Sequence, residues 1–157
     1  MITKPGAKIR VFMGRAPSGQ TDGFVHSPPT TTVHIARESL AQHNNDVFFA
    51  LVDTGADYIG IDKSVVEMLA LRTAGNGIGR GAFGMQAGLQ YVHISLIFPG
   101  AGIHFEVPQA AVIDFRAQGQ TFDVLLGRCF LRHCRLTVDG PNSNYDLEWT
   151  GIPPSTG

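Results

Sequence analysis

Cysteine is scarce: Cys129 and Cys134 are the only two in 157 residues. Two cannot form the disulfide framework of a small secreted domain, so both are read as reduced and structural. Charge is scarce too, at 16% of residues against a usual value of about 25%. Twelve basic against thirteen acidic side chains give a formal charge of −1, which supplies no positive field for nucleic acid or an anionic membrane. No apolar run approaches the roughly 18 residues of a membrane span, and Met1 to Arg10 lacks the apolar stretch of a secretion signal. These absences point to a cytoplasmic protein with no nucleic-acid or membrane partner. With 43% hydrophobic residues, the chain has enough apolar side chains to fold around one core.

Glycine is in excess, at 19 of 157 residues or about 12% against a background near 7%, and with nine prolines it cuts the chain into short segments. Strands are expected at 30–35, 47–52, 58–61, 89–98, 103–107, 110–113, 123–126, 135–139 and 145–149, where β-branched or alternating apolar residues recur. Asp62 is placed to cap a helix over 63–71, with Val65, Met68 and Leu69 on one face, and Arg128 to His133 suits one or two helical turns. Residues 1–29 read as an N-terminal extension, one strand plus loop; 30–150 as the domain; and 151–157 as a tail. Between Thr73 and Gly88 six glycines suggest a mobile tip feeding a strand.

The sharpest local signal is Phe48-Phe-Ala-Leu-Val-Asp53-Thr-Gly-Ala-Asp57, an apolar strand that delivers a carboxylate into a turn. A buried carboxylate needs a partner or a proton. The bland use of Asp53 is to cap local amides, as Asp before Gly often does. About 70 residues on, Asp123-Val-Leu-Leu-Gly127-Arg128 repeats the pattern of an apolar strand entering a turn. Gly79-Arg-Gly-Ala-Phe-Gly84 formally matches a dinucleotide fingerprint, but a strand pattern follows it where a helix is required, so that reading is rejected. Cys129, His133 and Cys134 fall short of a metal site, and the other histidines have no ligand spacing. His104, alternating with Ile103 and Phe105, is expected to face solvent, while Phe130 and Trp149 are expected in the core or a dimer contact.

Asp53-Thr-Gly-Ala and the later Leu-Leu-Gly127-Arg128 together resemble the retropepsin-like aspartic proteases, in the cellular or bacterial style with one Asp-Thr-Gly-Ala per chain. The resemblance covers roughly residues 30–150. It implies an all-β, closed barrel-like acid-protease fold with one or two short helices, active as a homodimer on peptide or protein substrates without metal or organic cofactor. One motif per chain makes a symmetric pairing of Asp53 with its counterpart necessary for a two-carboxylate mechanism. By position, Asp53, Thr54 and Gly55 are the catalytic residues; Ala56, Asp57, Gly77, Ile78 and Gly79 bind substrate, the last three at a flap tip. The resemblance also implies a structural ion pair between Asp57 and Arg128. Two carboxylates sharing one proton predict a bell-shaped, mildly acidic rate profile. The rival is a catalytically silent peptide-binding or dimerisation module on the same fold. Cys129 departs from the Asp or Asn common after Gly-Arg in relatives, and the flap carries Arg80 and extra glycines.

Overall fold

The computed structural model describes residues 5–37, 45–81 and 84–151. Among the described residues, eleven strands and two short α-helices run in the order β1 (Ala7–Ile9), β2 (Phe12–Met13), β3 (Pro29–Ala36), β4 (Phe48–Val52), β5 (Ile59–Asp62), α1 (Lys63–Met68), β6 (Thr73–Gly81), β7 (Gly84–Phe98), β8 (Ile103–Ile113), β9 (Val124–Leu126), α2 (Arg128–Leu131), β10 (Cys134–Asp139) and β11 (Asn144–Trp149), with a 3-10 turn at Arg116–Gln118 before β9. One sheet has the order β2-β3-β4-β9-β5-β8-β7-β6, and β3 also pairs with β7. Six of these strands, β3-β4-β9-β5-β8-β7, thereby close on themselves as a barrel. The fold is all-β, as the sequence reading expects.

Closure depends on β3 changing partner along its length. Thr30 to Val33 pair with β4, and His34 to Ala36 pair with β7. Alternating side chains fill the barrel: Val33 and Ile35 from β3, Ala50 and Val52 from β4, and Val92, Ile94, Leu96 and Phe98 from β7 are all buried. A second sheet, β1-β11-β10, brings Leu147 and Trp149 onto this core, where Phe130 stacks on Phe98 at 5.0 Å. Phe130 and Trp149 are core residues, in line with the burial expected of them.

Several local expectations are corrected. Residues 7–9 and 12–13 form two strands, each paired within a sheet, where a single strand was expected. The segments 103–107 and 110–113 form one strand, because Pro108 sits where the β7–β8 register skips between Val92 and Ile94, a bulge that needs no amide from it. The glycine stretch 73–81 is itself a strand hydrogen-bonded to β7, not a tip ahead of one. Asp62 does cap α1, accepting from the Ser64 amide at 3.0 Å. The helix stops at Met68, since Ala70 takes a left-handed φ of 49°. Val65 and Val66 form its buried face, and Met68 is exposed. His104 is half-buried with its Nε2 enclosed, because an outward position on a barrel can still be covered. Among the described residues no helix is long and apolar enough to cross a membrane.

Candidate active site

Strands β4 and β5 are consecutive in the chain, yet β9 lies between them, parallel to β4 and antiparallel to β5. This insertion builds the site. Beyond the ends of the strands the pairing continues through the turn residues: the Asp53 amide donates to Leu126 O at 3.0 Å, the Gly127 amide to Tyr58 O at 3.0 Å, and the Arg128 amide to Ala56 O at 2.8 Å. The two sequence segments singled out above, 70 residues apart, are thus laced together by main-chain bonds. A side chain at 127 would place its Cβ 2.1 Å from Tyr58 O and 2.8 Å from Ala56 O, so only glycine fits there.

Asp53 is half-buried at the carboxyl end of β4. Its Oδ1 accepts the Gly55 amide at 2.8 Å, which is the local capping use, and its Oδ2 has no hydrogen-bond partner among the described residues. One oxygen is fixed and the other is left unpaired among the described residues. A Cβ on residue 55 would stand 3.1 Å from that Oδ1, so glycine lets the turn fold tightly over the carboxylate. Thr54 is exposed; its carbonyl accepts Arg128 Nη1 at 2.8 Å, which ties α2 to the turn.

The remaining expected residues are distributed as follows. Ala56 is fully buried and its carbonyl is occupied by the Arg128 amide. Asp57 is exposed on the same turn. Gly77, Ile78 and Gly79 lie on β6, opposite Leu89, Ala87 and Gln86 of β7, and the pairing runs on past them through Arg80 with Met85 and Gly81 with Gly84. They therefore occupy an arm of the hairpin and not its tip.

Tyr58 is a neighbour the sequence reading treats only as the start of a strand. Its phenol is held above the ordinary tyrosine range by burial first, and then by the charges of Asp53 and Asp57. Gly60 makes space for its ring, since a Cβ there would meet Phe115 Cζ at 2.8 Å and Tyr58 Cε2 at 3.2 Å. An aromatic with a polar tip directly after the acid-rich turn is the signal that could have found it. Cys129 begins α2 beside this group; burial chiefly raises its thiol, and Asp57 adds to the rise. Among the described residues no three His, Cys, Asp or Glu side chains gather as a metal site.

A family model described as aspartyl protease matches residues 41–130, 90 of the 157 residues, and so spans the Asp53 turn and the Gly127-Arg128 segment. No curated protein matches the chain.

Proposed function

The chain belongs to the aspartyl protease family, and on that premise we propose that it is an endopeptidase whose working unit is a symmetric homodimer. The observation that carries this reading is Asp53 itself: one oxygen is locked by Gly55 and the other is open, with one such acid per protomer. Two of these turns facing each other across a two-fold axis supply the pair of carboxylates that peptide hydrolysis requires.

In that pair the ionised carboxylate takes a proton from a water molecule while the water oxygen bonds to the scissile carbonyl carbon. The protonated carboxylate donates to the carbonyl oxygen, which becomes a hydroxyl. On collapse of the tetrahedral diol the carboxyl that took the water proton passes it to the amide nitrogen as the C–N bond breaks, and the other carboxylate takes a proton from a diol hydroxyl, leaving an acid, an amine and the starting dyad. Thr54, exposed at the turn, is placed to hydrogen-bond across the axis, and the bond from Arg128 to its carbonyl holds the turn in place. Asp57 lies beside the dyad as a receptor for substrate backbone, and the β6–β7 hairpin, including Gly77, Ile78 and Gly79, closes over an extended peptide.

Asp53→Asn tests the assignment, because it keeps the size and the bond from Gly55 but removes the ionisable group. Cleavage of a mixed peptide library should fall by roughly 10³-fold or more, with the circular dichroism spectrum and sedimentation unchanged. Cleavage that survives in this variant would overturn the role given to Asp53.

A further inference from the structure

Beside the edge strand β2 lies a cavity of about 620 Å³, within the range that takes small organic ligands. The phenyl rings of Phe12 and Phe49 meet edge to face, 6.3 Å apart, and with Met13 they form its apolar wall. Phe49 and Met13 are each 44% exposed, unusual for side chains of this size in a chain with a full barrel core.

The polar side of the cavity is cationic. Arg15 and Arg116 both line it. Arg116 spends one nitrogen, Nη2, on Asp123 and leaves its half-exposed guanidinium with further donors. The Arg15 guanidinium makes no hydrogen bond or ion pair among the described residues; only its carbonyl is used, accepting from Thr121 Oγ1 at 2.6 Å. An arginine fork is matched in shape and charge by a carboxylate. A peptide strand is a poorer occupant, because β2 at the edge of the sheet is two residues long and offers few main-chain groups to pair with.

We propose that this cavity binds a small amphipathic carboxylate, its apolar body over Phe12, Phe49 and Met13 and its anion between Arg15 and Arg116. None of the residues that line it belongs to the Asp53 turn, so the proposal stands or falls independently of peptidase activity.

Calorimetric titration of the full chain with 4-phenylbutyrate tests it, using 4-phenylbutan-1-ol as the neutral counterpart. One equivalent should bind saturably, and both Arg15→Gln and replacement of the acid by the alcohol should weaken binding about tenfold. Met13→Gln should weaken it as well, and Asp53→Asn should leave it unchanged. Neither Arg15 nor Met13 is buried, so these variants should fold. Absence of saturable binding overturns the proposal, as does binding indifferent to Arg15→Gln, or binding abolished by Asp53→Asn, which would place the ligand at the catalytic turn.

Discussion

Gly127 is the residue on which the site geometry turns, because its missing side chain lets β9 approach the carbonyls of Tyr58 and Ala56. Gly127→Ala should therefore lower the free energy of unfolding by about 1–3 kcal/mol or more, read from the urea midpoint. Gly140→Ala is the control: its Cβ would meet nothing closer than Phe24 Cε1 at 3.9 Å, and its change should stay within about 0.5 kcal/mol. At the second thiol, burial pushes Cys134 up to about 12 from 9.0. In the native protein at pH 8 its thiolate is thus only about one part in 10⁴, and a disulfide reagent should label it far more slowly than in urea. The folded state holds this proton more tightly than the unfolded chain does. Its contribution to stability is complete below pH 9 and is lost as pH rises from there towards 12. Asp53 and the Gly127-Arg128 pair were legible in the sequence because each is a local pattern, an apolar strand broken by a turn. Tyr58 and Gly60 were not, since their importance comes from Phe115 and the acids that the fold brings beside them.

The element that delivers the Asp53 turn is the β4-β9-β5 triplet, and its far end is registered by one carboxylate. Asp123 accepts the Phe49 amide through Oδ2 at 2.9 Å and pairs with Arg116 through Oδ1. Its own amide donates to Phe49 O and its carbonyl accepts from the Asp62 amide, both at 2.8 Å. Asp62 in turn is buried and accepts the Arg116 amide at 3.1 Å. Asp123→Ala should cost about 2 kcal/mol, because it strands the Phe49 amide as well as Arg116. Asp123→Asn keeps an acceptor for both the Phe49 amide and Arg116, whose half-exposed guanidinium stays hydrated, so its cost in the same urea titration should be the smaller, under about 1 kcal/mol. Equal costs for the two variants would show that the charge, and not the amide bond, sets the register. The barrel strands themselves were largely readable, since β3, β4 and β7 carry runs of β-branched or alternating apolar residues. The strand β6 was hidden because its glycines gain order only from the partner strand β7, and the single strand β8 because Pro108 looks like a break until the bulge absorbs it.

For the molecule as a whole, one chain closes the barrel, whereas the proposed dyad needs an acid from each of two chains. The barrel's hydrogen bonds close within the chain, so on the proposed mechanism folding and catalysis differ in concentration dependence: the first is set by one chain and the second by the meeting of two. At low protein concentration the rate per protomer should rise with concentration and then level off as dimers fill. A mixing experiment separates this arrangement from a protomer that works alone. If wild-type and Asp53→Asn chains are combined in equal amounts and allowed to exchange, only about one quarter of random dimers carry two intact acids, and activity should settle near about one quarter of that of the same total of wild-type chains. Independent active protomers would retain about one half. Because asparagine keeps the size of Asp53 and the bond from the Gly55 amide, the variant should associate as the wild type does. The exchange therefore reports on chemistry and not on assembly, and a value of one half would remove the two-fold dyad while leaving the barrel and its family membership untouched.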